Sequence, residues 1–225
     1  MKVAPRLYID MLRLKIELFR LGRFVPQLRW SMKMIEKKRQ GLRQYHEMYV
    51  STVSNQRMAI SLELAGFLMI ICETIRPRRI LDLGSGFSSF VFRCYAKDKS
   101  PKPEVWSVDD SEEWLQKTSA FLALHGLTCE RMITWNSFRP REFEDAFDLI
   151  LHDLGSMDLR KKTFGEVLYL SHPRGLIILD DLHKQPYKLF VEVTLNQRGF
   201  RCLYMKSVTI DKFQRFAGVV AKTRA

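Results

Sequence analysis

A glycine-rich turn follows a short apolar segment of the chain. Gly84-Ser85-Gly86 comes directly after Ile80–Leu83, and a helical pattern begins at about Ser88. Glycines let a backbone approach a ligand closely, and the amide groups at a helix N-terminus attract anionic groups. Ser89 stands where a dinucleotide-binding loop would carry its third glycine. The turn therefore predicts a site for a different nucleotide-like ligand, which the three loop residues would contact.

Acidic residues lie on both sides of this turn. Asp82 precedes it by two residues, and Asp109-Asp110 ends the next strand pattern, 27 residues after Asp82. A carboxylate at position 109 could accept hydrogen bonds from both ribose hydroxyls of an adenosine. Asp82 suits a ligand whose near end is cationic, because opposite unit charges 4 Å apart attract by roughly 4 kcal/mol at an effective dielectric constant near 20. An acidic helix N-terminus is the alternative role for Asp109 and Asp110.

Three further aspartates follow two later strand patterns. Asp153 comes after Phe147–His152, and Asp180-Asp181 comes after Leu176–Leu179. The carboxyl ends of parallel strands meet at one edge of a sheet, so these side chains are expected to converge. Carboxylates in a cluster repel one another unless a cation joins them, and their oxygens suit Mg²⁺ or Mn²⁺. The sequence therefore predicts a metal site at Asp153, Asp180 and Asp181, with helix caps or loop anchors as the alternative roles.

A histidine near this acidic group is a candidate general base. His183 lies two residues after Asp181, and imidazole titrates near neutral pH. A solvated loop residue is its alternative role, and Lys184 is a weaker candidate base. His152 lies within a strand pattern, where alternation directs it away from the side of Asp153, so it is expected to pack. His183 and Asp153 are the predicted catalytic residues.

Strand and helix patterns alternate from residue 54 onward, which predicts an α/β fold with a doubly wound, mostly parallel sheet. Ser54 or Asn55 is expected to cap a helix that ends near Ile75, and Pro173-Arg174-Gly175 is expected to form a turn. Two strands around a polar connection would close the chain. The predicted strands are 79–83, 104–108, 132–134, 147–152, 176–179, 201–206 and 216–222.

The first 50 residues form a basic helical extension before a domain at 51–225. Residues 1–45 hold twelve of the 37 basic residues but only three of the 25 acidic ones. Helices are predicted at 4–21 and from about 28 to 49, and the first has a wide apolar face that includes Leu7, Met11, Leu14, Leu18 and Leu21, widened by Leu12, Ile16 and Phe19. This face could pack on the domain or on a second copy in a homodimer, or contact an anionic membrane peripherally. Nucleic acid is disfavoured, because no groove-reading motif is present.

Composition limits the class of protein. An apolar fraction of 46% suits a packed globular core. The four cysteines are scattered without paired spacing, which argues against a disulfide framework or a zinc site. The longest apolar stretch, residues 65–72, is far shorter than the roughly 20 residues of a membrane-spanning helix. No secretory signal is visible, so a cytoplasmic protein, with peripheral membrane contact as an option, is predicted.

Four segments together resemble the class I S-adenosylmethionine-dependent methyltransferases. Leu81–Gly86 looks like motif I of that family, and Val105–Asp109 looks like its acidic motif II. Phe147–Asp153 and Pro173–Asp181 resemble the fourth and fifth strands with their flanking residues. The resemblance covers about residues 55–222, and the first 50 residues lie outside it.

The resemblance implies a seven-stranded Rossmann-like sheet, S-adenosylmethionine as methyl donor, and a position near the adenine for Ser137. The acidic strand ends resemble those of metal-dependent O-methyltransferases acting on small molecules or sugars, which implies O-methylation of a hydroxyl on a small molecule or glycan with help from Mg²⁺ or Mn²⁺. Asp181 stands where the catechol type usually has asparagine, which fits the sugar-modifying relatives better. A metal-independent N-methyltransferase and a non-catalytic scaffold are the alternatives.

Overall fold

A computed structural model describes the backbone of residues 5–24 and 31–222 and the side chains of residues 12–23 and 31–221. Alternating helices and strands follow three N-terminal helices. The helices are α1 (Pro5–Phe24), α2 (Met32–Thr52), α3 (Leu62–Ile75), α4 (Phe87–Lys97), α5 (Glu112–Leu124), α6 (Met157–Leu170), α7 (Gln185–Gln197) and α8 (Lys206–Thr209). The strands are β1 (Arg79–Leu83), β2 (Glu104–Asp109), β3 (Met132–Thr134), β4 (Phe147–His152), β5 (Ser171–Leu179), β6 (Phe200–Tyr204) and β7 (Gly218–Lys222).

The seven strands form one sheet in the order β3-β2-β1-β4-β5-β7-β6. The first five strands in this order are parallel, and β7 runs antiparallel to both β5 and β6. The interior strands β1 and β4 are nearly continuous apolar runs because helices cover both of their faces. The predicted doubly wound, mostly parallel α/β sheet is therefore confirmed.

Each face of the sheet has its own apolar core. On one face Ile80 and Leu149 pack with residues of α3, α4 and α5. On the other face Leu81 and Ile150 pack with residues of α6 and α7. Alternate residues of β1 thus enter opposite cores, and this arrangement fixes the face of the sheet to which Asp82 points.

The N-terminal extension joins the first of these cores. Leu21 of α1, and Ile35, Leu42 and Tyr49 of α2, are buried there, while Leu14 and Leu18 pack against it. Leu12, Ile16 and Phe19, which were predicted to widen this apolar face, are not covered by the core and stay 49%, 41% and 71% exposed. The side chains of Leu7 and Met11, and the backbone of residues 4 and 28–30 in the predicted helices, lie outside the described residues.

The contacts described for α1 do not identify what covers its exposed apolar residues. No helix among the described residues is long and apolar enough to cross a membrane. Contact of this helix with a membrane or with a second copy, and the cytoplasmic location, remain predictions.

Three local predictions are wrong. Ser61 caps α3, because its hydroxyl accepts a hydrogen bond from the amide of Leu64, whereas Asn55 instead forms a turn with Arg57. The turn predicted at 173–175 lies inside β5, which pairs with β4 from Ser171 onward around an irregularity. The strand predicted at 201–206 ends at Tyr204, and Lys206 instead begins the short helix α8.

Replacing Ser61 by alanine should lower the free energy of unfolding by about 1 kcal/mol, because the capping hydroxyl is lost from the start of a buried helix. Urea unfolding measures the change. The matched control is Ser54→Ala, since the Ser54 hydroxyl is buried without a hydrogen-bond partner in the part of the chain that the structure describes, and its loss should change stability far less. A larger loss for Ser54→Ala than for Ser61→Ala would contradict this assignment of the cap.

Candidate active site

The glycine loop joins β1 to α4 by a close approach of two backbone segments. Gly84 has φ +97°, and its amide donates a hydrogen bond of 2.8 Å to the carbonyl of Val108. A Cβ atom at position 84 would lie 2.3 Å from the carbonyl oxygen of Asp153. Only glycine meets both demands, because its backbone reaches positive φ and it carries no side chain.

The carboxylate of Asp109 holds this loop against the end of β2. Its Oδ2 accepts hydrogen bonds from the amide and hydroxyl of Ser85, at 2.7 and 3.2 Å, and its Oδ1 accepts one from the amide of Ser111 at 2.9 Å. Burial raises the pKa of Asp109 to about 6, although the bonds from Ser111 and Ser85 act in the opposite direction. Asp109 therefore lies at the loop, as predicted, and its contact with a ribose remains a prediction.

Asp82 lies beneath the loop and is fully buried. Its Oδ2 accepts hydrogen bonds from the hydroxyls of Ser89, at 2.5 Å, and Ser107, at 3.2 Å, and Arg93 in turn donates to the Ser107 hydroxyl. Among the described residues, its Oδ1 has no hydrogen-bond partner. Asp82 therefore connects the loop to α4 and β2 from below. Its predicted contact with the cationic end of a donor stays a prediction.

Asp110 and Ser137 lie on the exposed side of the same edge. A Cβ atom on Gly155 would come within 2.6 Å of Oδ2 of Asp110, so this carboxylate reaches the loop that follows β4. Ser137 is exposed in the turn after β3, where its hydroxyl accepts a hydrogen bond from that of Thr134. That turn borders Asp109, because the amide of Trp135 donates to the Asp109 carbonyl.

The aspartates after β4 and β5 converge, as predicted, but around a buried arginine. One Nη of Arg160 lies 2.5 Å from Oδ1 of Asp153, and the other lies 3.3 Å from Oδ2 of Asp181. Lys184 Nζ lies 2.6 Å from the same oxygen of Asp181. Oδ1 of Asp180 accepts a hydrogen bond from the amide of Asp181 at 2.7 Å.

The pKa values of these carboxyls follow burial and the nearby cations. Burial raises the pKa of Asp153 well above its usual value, although Arg160 opposes the shift. Burial and the charge of Asp181 raise the pKa of Asp180 to about 6. Burial alone would also raise the pKa of Asp181, but Lys184 and Arg160 together lower it. Asp181 also has φ +61°, in the left-handed region, which aspartate tolerates better than most residues.

The predicted metal site does not fit this arrangement. Among the described residues, no group of three or more His, Cys, Asp or Glu side chains could hold a metal ion. The physical reason is that oxygens of Asp153 and Asp181, which a divalent ion would need, already contact Arg160 and Lys184. The positive charge within this acidic cluster therefore belongs to the side chains of Arg160 and Lys184.

The two histidines differ as predicted in burial. His183 is half-buried, and its Nδ1 lies 3.5 Å from Oδ1 of Asp181 without forming a hydrogen bond. Burial lowers its pKa, which favours the neutral imidazole that a general base needs. His152 is fully buried between Thr163 and Tyr187, and burial lowers its pKa to about 3, so it packs.

Three residues at the site were not predicted from the sequence. The indole of Trp114 donates a hydrogen bond of 2.5 Å to the carbonyl of Ser85. The hydroxyl of Tyr49, from α2, lies 3.3 Å from where a Cβ atom on Gly86 would be. The third is Arg160, which falls on the same helical stripe as the buried Phe164 and Val167. That placement was a usable signal, because an arginine on an apolar stripe needs an acidic partner.

Solved S-adenosylmethionine-dependent methyltransferases have this fold, as the resemblance implies. The O-methyltransferase TomG from Streptomyces achromogenes, solved with SAM, superposes with a TM-score of 0.58 and 16% identity over 93% of this chain and 99% of that one. The O-methyltransferase from Bacillus cereus, solved with SAH, has a TM-score of 0.60 and 18% identity over 90% and 97%. At such identities the likeness is one of fold.

Sequence comparison gives a shorter match. No protein-family model matches the chain. A stretch of 73 residues is 40% identical to part of the O-methyltransferase hkm8 of Aspergillus hancockii. It covers 32% of this chain and 28% of that protein, so this chain matches far less than two thirds of its relative's length.

Substituting Gly84 by alanine should lower the free energy of unfolding by at least about 2 kcal/mol, because positive φ and the Asp153 carbonyl both oppose a Cβ atom there. Denaturant unfolding measures the loss. Gly41→Ala is the control, since nothing lies within 4 Å of its added carbon and the exposed helix position should gain up to about 1 kcal/mol. A Gly84→Ala protein as stable as the wild type would contradict the close approach.

Replacing Asp82 by asparagine should make the variant gain stability relative to the wild type as pH rises. Burial raises the pKa of Asp82 to about 6 in the folded chain. The protonated carboxyl therefore favours folding below about pH 4, and this contribution is lost as pH rises through 6. Between pH 4 and pH 8 the difference should move in favour of Asp82→Asn by up to about 3 kcal/mol in urea unfolding.

The control for this prediction is Asp98→Asn, at an exposed aspartate just after α4. It removes an exposed carboxylate, so it separates the effect of burial at position 82 from that of a lost charge. A level difference for Asp82→Asn would show that this carboxyl has an ordinary pKa in the folded chain.

Proposed function

We propose that this chain is an S-adenosylmethionine-dependent O-methyltransferase that acts on a hydroxyl of a small molecule or glycan. The observation that carries the proposal is the bond between Asp109 and the amide of Ser85, at the edge where β1 and β2 end. It holds the glycine loop against an acidic strand end, an arrangement that supports a donor site at the carboxyl edge of the sheet.

The donor side of the site would consist of this loop and its neighbours. Ser85 and Gly86 lie just before α4, beside a helix N-terminus that can attract polar atoms of a ligand, while their own amides donate to Asp109 and Ser89. Oδ1 of Asp109 accepts one hydrogen bond and has acceptor capacity left for a ribose hydroxyl, whereas Oδ2 already accepts two. Ser137 and Asp110 would border the same ligand on its exposed side.

The acceptor side would lie above the ends of β4 and β5. When bound, S-adenosylmethionine supplies an electrophilic methyl group, and the C–S bond breaks as the new C–O bond forms. The acceptor hydroxyl must then lose its proton, and His183 is the proposed base because burial keeps it neutral. Asp153, held by Arg160 beside the glycine loop, would orient the acceptor. Because a divalent ion does not fit the cluster, His183 and Asp153 would act without one.

The proposal is tested by calorimetric titration with S-adenosylhomocysteine. The wild type should bind it, and Asp109→Asn should bind about tenfold to a hundredfold more weakly, because hydrogen bonds to a charged acceptor contribute about 1.5–3 kcal/mol. Asp98→Asn is the matched control and should bind as the wild type does. A wild type without measurable affinity at micromolar concentrations would instead favour a non-catalytic scaffold.

The nature of the acceptor is tested by transfer of a labelled methyl group to panels of phenols, sugars and amines. Label in an acid- and base-stable ether would support transfer to a hydroxyl. Label found only in methylated amines would contradict the proposal and favour an N-methyltransferase.

A further inference from the structure

Arg160 occupies the centre of the acidic cluster formed by Asp153, Asp180 and Asp181. We propose that this arginine, assisted by Lys184, is the permanent cation of the cluster, so that the site needs no divalent metal ion. The inference deepens the proposed function, because it concerns how the acceptor side of that same site is charged. It also predicts metal-binding properties that can be measured without any methyl transfer.

The guanidinium is held on every side. Its two Nη atoms contact Asp153 and Asp181, at 2.5 and 3.3 Å. Its Nε and one Nη also donate hydrogen bonds to the carbonyls of Leu154 and Gly155, at 3.3 and 3.4 Å. The side chain is only 7% exposed. A planar group with fixed donors in this setting is a built part of the structure rather than a surface ion pair.

This geometry competes directly with a divalent ion. Mg²⁺ requires several oxygens at about 2.0–2.1 Å in near-octahedral order, and Ca²⁺ requires six to eight at somewhat longer distances. One oxygen of Asp153 and one of Asp181 already face Arg160, and the Asp181 oxygen also faces Lys184. An ion entering here would have to displace both cations or remain close to their like charge.

The resident arginine can perform the electrostatic part of a metal's task. Its positive charge lies beside the crevice and does not titrate near neutral pH, so it would stabilise an acceptor oxygen as that oxygen loses its proton. It cannot exchange ligands or be removed by a chelator. Arg160 is accordingly a positioning residue, which fixes Asp153 and Asp181 and sets the charge of the site.

The test is Mn²⁺ binding, followed by the electron paramagnetic resonance signal of free Mn²⁺, on the full chain after chelator treatment. The wild type should show no site tighter than about 1 mM. Arg160→Leu, which leaves the carboxylates without their cation, should bind one Mn²⁺ at least about tenfold more tightly than the wild type. Arg201→Leu, at an exposed arginine of β6, is the matched control and should not change Mn²⁺ binding.

A second measurement keeps the proposal testable if Arg160→Leu does not fold. The melting temperatures of the wild type and of Arg160→Lys should each be the same in excess chelator and in millimolar Mn²⁺. A melting temperature raised by Mn²⁺ in the wild type, or a micromolar wild-type site that disappears in Asp181→Asn, would overturn the proposal. Titration with S-adenosylhomocysteine reports separately on the donor side. A wild type that does not bind S-adenosylhomocysteine would contradict the proposed function, whereas the Mn²⁺ measurements alone decide whether Arg160 is the cation of the cluster.

Discussion

The carboxylate of Asp109 determines the shape of the site more than any other group. It accepts hydrogen bonds from the loop after β1 and from the first residue after its own strand, and thereby joins two neighbouring strand ends. The same loop passes so close to the carbonyl of Asp153 that only glycine fits at position 84. A few backbone contacts therefore position the ends of three adjacent strands relative to one another. The same contacts fix where the side chains at these strand ends lie.

Holding acidic groups in such a place opposes folding. Asp82, Asp109 and Asp180 are all buried at or near one edge of the sheet, and burial raises the pKa of each to about 6. Part of the cost is offset by hydroxyls, amides and the charge of Arg160, and the rest must be met by the two apolar cores. A concentration of perturbed carboxyl groups is typical of functional sites, where stability is given up for chemistry.

Local signals were enough for much of this protein. The bounds of β1, β3 and β4 could be predicted from apolar runs, and the glycine loop and the aspartates from their place after such runs. The role of Arg160 could not be predicted in the same way, because its contacts with the aspartates depend on where the first turn of α6 passes over β4 and β5. The cap at Ser61 and the exposure of Phe19 were likewise decided by packing between distant segments, since Ser54 and Ser61 look alike in the sequence and tertiary contact alone selects one of them.

The position of Tyr49 bears on how this fold can be inherited. The residue belongs to the extension, outside the segment that resembles methyltransferases, yet its ring packs on Phe87 and its hydroxyl lies against the glycine loop. The N-terminal helices thus contact the glycine loop, through Tyr49 of α2, at the proposed donor site. Recombination that exchanged them between relatives would have to preserve an aromatic residue at this point, so extension and loop are expected to vary together in evolution.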